Sequence, residues 1–202
     1  MTSLSLKHDQ LSVKIADKIV AIASSKGGID ALETVLGNLP ADFKGAIVVV
    51  QHLSSLFESY LANVLSRHTE LDVQPAREGA KLCPGTVHVA PSDHHVIVNH
   101  DGSLSLSHAP KAHFVRPSAE YTFKSLADSF GEQAIAVVLT GYDSDGEEGV
   151  QKIKDQGGKV IAQNQETSVV FGMPQSAIET GCVDLILPLD RIADGIIKLV
   201  NR

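Results

Sequence analysis

Cysteine, tryptophan and long apolar runs are scarce or absent in this chain of 202 residues. Its two cysteines, Cys83 and Cys182, are too few for a disulfide framework or a cysteine-based metal cage, so we expect reduced thiols. No stretch reaches the roughly 20 apolar residues of a membrane-spanning helix, and the N-terminal residues lack the apolar core of a signal peptide. These absences predict a cytoplasmic protein that does not insert into a membrane.

Basic residues are also in the minority. Lysine and arginine total 17 against 24 acidic residues, and the formal net charge is −7. Because an acidic surface repels phosphate backbones, we expect no nucleic-acid partner. The composition is otherwise globular, and the length fits one domain. With no internal linker or repeat, the sequence predicts a flexible N-terminal tail over residues 1–17 and one domain over residues 18–202.

Short apolar runs alternate with longer amphipathic stretches. A continuous apolar run is typical of a strand that is buried on both faces, so the pattern predicts an α/β fold. We expect a doubly wound, mostly parallel sheet with helices on both faces. The predicted strands cover residues 18–23, 46–51, 134–139, 159–162 and 185–187, and the predicted helices cover 28–36, 57–67, 147–156 and 192–200.

The middle of the chain has a different pattern. Residues 86–90, 95–99 and 104–107 have the character of short strands separated by turns. The sequence Asn99-His100-Asp101-Gly102 is typical of a hairpin turn. We therefore predict a small antiparallel hairpin or edge that includes all three short strands.

Three side chains of complementary chemistry follow three of the predicted parallel strands. Ser25 follows the first strand, His52 the second and Asp145 the third. In an open α/β sheet the ligand crevice lies at the carboxyl ends of the strands. A hydroxyl nucleophile, an imidazole base and a carboxylate that orients the imidazole form the set required for acyl transfer.

The residues after Ser25 favour this interpretation. Gly27 and Gly28 allow a sharp turn from strand to helix, which leaves Ser25 at the helix N-terminus. Free N–H groups and the helix dipole there favour a developing oxyanion. The turn is similar to a nucleophile elbow in geometry, although the G-x-S-x-G pattern is absent.

Each residue also has a purely structural interpretation. Ser24 or Ser25 alone would be an ordinary helix cap. Asp145 with Glu148 matches a capping box, and His52 would be a hydrogen-bonded residue at a strand end. The convergence of three such residues on one edge of the sheet favours the catalytic interpretation.

Other sites fail on spacing, so no cofactor and no metal ion is predicted. The chain has neither a Walker A loop nor a G-x-G-x-x-G after a strand. Gly141 occupies the first ligand position of a would-be calcium loop. The adjacent His94 and His95 face opposite sides of a strand, and His88 and His100 have no zinc-like spacing to them.

These motifs resemble the catalytic domain of the chemotaxis protein-glutamate methylesterases, the CheB family, from about Ile19 to the last helix. The family's G-A-S-T-G-G appears as A-S-S-K-G-G at residues 23–28, and its Q-H pair as Gln51-His52. Its L-T-G-M-G-x-D-G appears as L-T-G-Y-D-S-D-G at residues 139–146. Further similar segments lie at residues 90–95, 116–118, 162–164 and 170–174.

The resemblance implies a role for each matched residue. Ser25 would be the nucleophile, His52 the base and Asp145 the carboxylate that orients the imidazole. The backbone N–H groups of Lys26 and Tyr142 would form the oxyanion hole. The resemblance implies further substrate-binding or supporting roles for Gly27, Gly28, Gln51, Arg116 and Met173.

Four positions depart from the family's usual residues. Lys26 replaces a threonine whose hydroxyl helps to position the histidine, and Tyr142 replaces a methionine. Asp143 replaces a glycine and adds charge beside the site, and Val115 replaces a histidine. The resemblance therefore implies a full triad in altered surroundings.

The implied function is removal of methyl esters from glutamate side chains on the cytoplasmic helices of chemoreceptors, with release of methanol. Deamidation of receptor glutamine is chemically adjacent. The alternative is a degenerate, non-catalytic adaptor that binds receptors or signalling partners. Typical members carry an N-terminal receiver domain, whereas only 17 residues precede the first predicted strand here. We expect a monomeric catalytic unit, either a stand-alone protein or part of a longer chain, whose regulator is a separate receiver protein or domain.

Overall fold

A computed structural model of the chain describes residues 13–52 and 60–202. The strands are β1 (Ile19–Ser24), β2 (Ala46–Gln51), β3 (Asp72–Pro75), β4 (Thr86–Val89), β5 (His95–Val98), β6 (Leu104–Ser107), β7 (Ala134–Val138), β8 (Lys159–Gln163) and β9 (Leu185–Leu187). The helices are α1 (Gly28–Gly37), α2 (Leu61–Leu65), α3 (Ala119–Phe130), α4 (Glu147–Asp155), α5 (Gly172–Glu179) and α6 (Leu189–Val200).

Seven of the strands in these ranges form one parallel sheet in the order β3-β4-β2-β1-β7-β8-β9. From β1 the chain first builds the side that holds β2, β3 and β4. It then crosses to β7 and builds the other side. The connections after β1 and β7 therefore run in opposite directions, which opens a crevice at the carboxyl ends of these neighbouring strands.

Both faces of the sheet are covered, as the continuous apolar strands require. On one face, Val20 and Ile22 of β1 belong to a buried cluster with side chains of α1 and α6. On the other, Ala21 and Ala23 pack in a cluster that includes Phe123 of α3. All six residues of β1 are buried, and the predicted doubly wound α/β fold is confirmed.

The antiparallel prediction for residues 86–90 is wrong. β4 lies inside the parallel sheet, between β2 and β3. Its outer neighbour β3 escaped prediction because this short edge strand exposes Asp72 and Pro75 and has no apolar run. β5 and β6 do form the predicted antiparallel hairpin, in which Gly102 donates its N–H to the Asn99 carbonyl at 3.0 Å.

Several boundaries also differ from prediction. Helices α3 and α5 were not predicted, and α6 begins three residues earlier, at Leu189. The helix predicted over residues 57–67 is observed as the shorter α2, Leu61–Leu65. Phe57 lies outside the described residues. The division of the chain at residue 17 stays a prediction, although Ala16 is buried and donates its N–H to the Leu82 carbonyl.

Within the described ranges, no helix has both the length and the apolar character needed to cross a membrane.

Candidate functional site

An open cleft of about 640 Å³ lies at the crevice between the carboxyl ends of β1, β2 and β7. It receives the strand-to-helix turn after β1, the end of β2 and the connection from β7 to α4. The residues that line it are Ser25, Lys26, Gly27, Gly28, Ile29, Asp30, Gln51, His52, Tyr142 and Val169.

The turn after β1 brings Ser25 into this cleft. The Ser25 N–H donates to the Thr140 carbonyl at 2.9 Å, which joins the turn to the end of β7. Gly27 has φ of 77°, a left-handed conformation that favours glycine, and α1 begins at the next residue. No side chain caps α1, so the capping interpretation of Ser24 and Ser25 is wrong. The buried Ser24 hydroxyl instead donates to Gln51 Oε1 at 2.6 Å.

His52 and Asp145 form a buried pair. His52 Nε2 lies 2.7 Å from Asp145 Oδ2, and the two side chains are 7% and 0% exposed. The same carboxylate accepts hydrogen bonds from Ser118 Oγ at 2.5 Å and from the Ala119 N–H at 2.6 Å. The N–H of Glu120 adds a longer bond of 3.3 Å. The first turn of α3 therefore supplies the donors and the positive dipole end that orient this buried carboxylate.

The capping-box interpretation of Asp145 is wrong for the helix that follows it. Gly146 precedes α4 with φ of 98°, and no side chain caps that helix. The Asp145 carboxylate points instead to the N-terminus of α3, more than 20 residues earlier in the chain. The side chain is therefore available to hold the histidine ring.

A second carboxylate lies beside the histidine. Asp143 Oδ2 is 3.5 Å from His52 Nδ1, which is an ion-pair distance rather than a good hydrogen bond. Burial lowers the pKa of His52, but Asp143 and Asp145 outweigh this effect and raise the pKa to about 9. Burial likewise favours a higher pKa for Asp143, but the adjacent His52 more than compensates and lowers the pKa of that carboxyl.

The serine and the histidine line the same cleft without being hydrogen-bonded to each other. His52 Nδ1 is buried without a hydrogen-bond partner among the described residues. The Ser25 hydroxyl likewise forms no hydrogen bond within residues 13–52 and 60–202. The structure thus brings together the histidine and the aspartate of the predicted triad, with the serine on the same cleft.

The two predicted oxyanion donors are free to act. Neither the Lys26 N–H nor the Tyr142 N–H donates a hydrogen bond to an acceptor in the described part of the chain. Both residues line the cleft. The Thr140 hydroxyl donates to the Lys26 carbonyl at 2.9 Å and so fixes the peptide between Lys26 and Gly27. The side chain of Tyr142 points outward and is 69% exposed.

Gln51 joins the serine and histidine segments. Its Nε2 donates to the Ser25 carbonyl at 2.8 Å and to the His52 carbonyl at 3.0 Å. Gly28 packs so closely to this amide that an added Cβ would overlap Gln51 Oε1. The turn therefore requires glycine at this position.

The remaining predicted supporting residues lie behind or beside the cleft. Met173 is buried, and its N–H donates to the Gly141 carbonyl at 2.9 Å, directly before Tyr142. Arg116 does not line the cleft. Its guanidinium donates to Asp93 Oδ1 at 2.7 and 3.0 Å and to two backbone carbonyls, so it ties a loop in place.

Sequence reasoning missed the positioning residues around the triad. Ser118 was noted as part of a family segment without a role, and Thr140 and Gln163 were not singled out. Gln163 Oε1 accepts the Thr140 N–H at 2.9 Å, which anchors the end of β7. A serine before the amphipathic stretch that became α3 was the available signal for Ser118.

One set of three potential metal ligands occurs among the described residues: His113, Glu120 and Asp145. Both carboxylate oxygens of Asp145 already accept hydrogen bonds. The set therefore offers no free carboxylate at Asp145, and we assign no metal ion to it.

Comparison with known proteins shows which family this chain belongs to. The CheB methylesterase family model matches residues 20–196. A protein of Bdellovibrio bacteriovorus named protein-glutamate methylesterase/protein-glutamine glutaminase is 41% identical over 184 residues, which are 90% of this chain and 52% of that protein. A protein of the same name from Thermotoga maritima is 41% identical over 189 residues, 92% of this chain and 55% of its own length.

A solved structure agrees with these sequence matches. The crystal structure of the Thermotoga maritima CheB methylesterase catalytic domain superposes with a TM-score of 0.87 at 42% identity, covering 90% of this chain and 98% of that domain. The chain spans about half the length of the curated relatives it matches. With the family model matching most of its length, the chain belongs to the CheB methylesterase family.

Proposed function

We propose that this chain is a serine hydrolase that removes methyl esters from glutamate side chains of chemoreceptors. The observation that carries the proposal is the buried pair of His52 and Asp145, with Nε2 2.7 Å from Oδ2, on the cleft that Ser25 lines. Relatives at about 40% identity are named protein-glutamate methylesterase/protein-glutamine glutaminase, which does not favour the non-catalytic adaptor.

In the proposed mechanism the two nitrogens of His52 have separate tasks. Because Asp145 occupies Nε2, Nδ1 is the nitrogen that takes the proton from Ser25. The Ser25 oxygen then attacks the γ-carbonyl carbon of the methylated glutamate. The tetrahedral oxyanion accepts hydrogen bonds from the N–H groups of Lys26 and Tyr142.

Collapse of this intermediate breaks the bond to the methoxy group. His52 Nδ1 returns its proton to the leaving oxygen, so methanol departs and Ser25 carries the acyl group. Water then attacks the acyl-enzyme and gives its proton to His52 Nδ1. The bond between the acyl carbon and Ser25 Oγ then breaks, His52 Nδ1 returns its proton to that oxygen, and the glutamate carboxylate is released. With a glutamine substrate the same steps release ammonia.

Exposed residues at the rim support a helical protein as the substrate. Ile29, Tyr142 and Val169 line the cleft with exposed fractions of 37%, 69% and 65%. The exposed Lys26 adds a positive charge on an otherwise acidic protein. The rim is mainly apolar and also carries the exposed Asp30, which suits an amphipathic receptor helix. A better turnover of a receptor fragment than of small methyl esters would distinguish this substrate.

The proposal also covers the location, the oligomeric state and the regulation of the enzyme. We propose a cytoplasmic catalytic unit that acts as a monomer on the cytoplasmic helices of methylated receptors. Its activity would be controlled by a receiver domain or a separate receiver protein. Light scattering of the purified chain tests the monomer, and methanol release with and without a phosphorylated receiver protein tests the control.

The test of the activity is methanol release from a receptor fragment that carries glutamate methyl esters. Ser25→Ala removes the nucleophile, so we expect release to fall by at least about 10³-fold. Ser129→Ala is a matched control, because Ser129 lies at the end of α3 that is far from the cleft. Its hydroxyl donates a hydrogen bond to the Val98 carbonyl of β5. Equal release by wild type and Ser25→Ala would refute the proposed mechanism.

A further inference from the structure

Asp143 stands where the family's motif has glycine, and its carboxylate is held in one orientation. Oδ1 accepts the Asp145 N–H at 3.1 Å, which leaves Oδ2 directed at the histidine. Oδ2 lies 3.5 Å from His52 Nδ1. The Asp143 side chain is 32% exposed, whereas that of His52 is only 7% exposed. The contact is therefore well shielded from water on the histidine side.

Nδ1 is the nitrogen that matters for catalysis. Asp145 occupies Nε2, so only Nδ1 can take the proton of Ser25. To act as a base, Nδ1 must present a lone pair. A carboxylate beside that lone pair opposes the neutral ring and favours the protonated one, in which Nδ1–H faces the negative charge.

We propose that Asp143 is a positioning residue that holds His52 in its protonated form and so sets the pH at which Ser25 is activated. The proposal rests on the proposed function. In this arrangement Asp143 and Ser25 compete for the same nitrogen, and the resting enzyme at neutral pH is mostly in the form that cannot accept the proton.

The other charges near His52 do not reverse this effect. The Asp145 carboxylate contacts Nε2 of the same ring and also favours its protonated form. Lys26 lines the cleft from the turn after β1, and His113 lies near enough to Asp143 to lower the pKa of that carboxyl. Taken together, the described groups leave the pKa of His52 at about 9.

The activity test is the pH dependence of kcat/KM for methanol release. In the wild type we expect an increase of about tenfold per pH unit up to about pH 9, because the free enzyme must lose the His52 proton. An adjacent opposite charge shifts a pKa by about 1–3 units. In Asp143→Asn the rising limb is therefore expected to move down by about one to two pH units, with about 10- to 100-fold higher kcat/KM at pH 7 and a similar plateau.

Two variants and one control make the comparison specific. Asp143→Asn keeps an oxygen that can accept the Asp145 N–H, and Asp143→Gly supplies the family's usual residue. Because both substitutions remove the negative charge, both should move the rising limb of the pH profile to lower pH. Asp155→Asn removes the same charge at the opposite end of α4, about 13 Å of helix away. This control substitution is expected to leave the pH dependence of kcat/KM the same as in the wild type.

Titration of the ring by NMR separates this proposal from the proposed function. The His52 signal, identified by its absence in His52→Gln, reports the pKa of the ring without any turnover. A lower pKa in Asp143→Asn together with a matching shift of the activity limb supports the proposal. An unchanged pKa, or an activity limb that does not follow it, overturns the proposal. Absence of turnover at every pH in the wild type would refute the esterase function instead, while the NMR comparison would still decide whether Asp143 holds the proton.

Discussion

The buried ion pair at His52 predicts a specific pH dependence of stability. The pKa of His52 is raised from 6.5 to about 9 in the folded protein. A group whose pKa is raised on folding stabilises the protein fully below its unfolded pKa, and this stabilisation is lost as the pH rises through the folded pKa. At 1.36 kcal/mol per pH unit, the change from 6.5 to about 9 corresponds to about 3 kcal/mol. Because the ring is only 7% exposed, solvent screening removes little of this.

Urea unfolding at pH 6 and pH 10 measures this contribution in wild type and His52→Gln. Glutamine does not titrate, so groups common to both proteins cancel in the comparison. Between the two pH values the wild type should lose about 3 kcal/mol more unfolding free energy than the variant. Equal losses in the two proteins would mean that His52 is not held protonated, and would refute the reasoning on its two carboxylates.

Two further substitutions test the packing and the hydrogen bonds that position the triad. In Gly141→Ala the new Cβ would overlap Met173 Sδ and lie 2.8 Å from Ser25 Cβ. We expect a loss of about 1–3 kcal/mol in urea unfolding and a strong loss of methanol release, and a fully active variant would contradict this packing. Ser118→Ala removes the N-cap of α3 and one donor to Asp145. It should cost about 1–3 kcal/mol and lower kcat, whereas unaltered stability and kcat would show that the bond contributes nothing.

The central strands were predictable because burial on both faces leaves a simple mark in the sequence. Ala46–Gln51 was predicted with its observed bounds, since every residue in it is buried. β3 was missed because a short edge strand needs no apolar run. β4 was grouped with β5 and β6 because all three are short runs separated by turns, although β4 pairs with β2 and β3 in the parallel sheet.

The placement of the three candidate catalytic residues on one edge was predictable, because Ser25 and His52 directly follow β1 and β2, Asp145 lies in the connection after β7, and the carboxyl ends of parallel strands meet at one edge. The contacts that surround these three residues were not predictable from the sequence. The donors to Asp145 come from the first turn of α3, at a sequence separation of 25 to 27 residues, and no local pattern announces such a contact. The nitrogen of His52 that faces Asp145 likewise depends on ring orientation, which only the folded structure determines.

The most direct test of the account is labelling of Ser25 by a serine-reactive fluorophosphonate, with the modified residue located by mass spectrometry. A base-activated serine is predicted to be labelled in the wild type and in Ser129→Ala. Labelling should disappear in Ser25→Ala and fall sharply in His52→Gln, because the hydroxyl is unreactive without a base. Labelling of Ser25 at the wild-type rate in His52→Gln, or no labelling of Ser25 in the wild type up to pH 9, would contradict the claim that these residues form a catalytic unit.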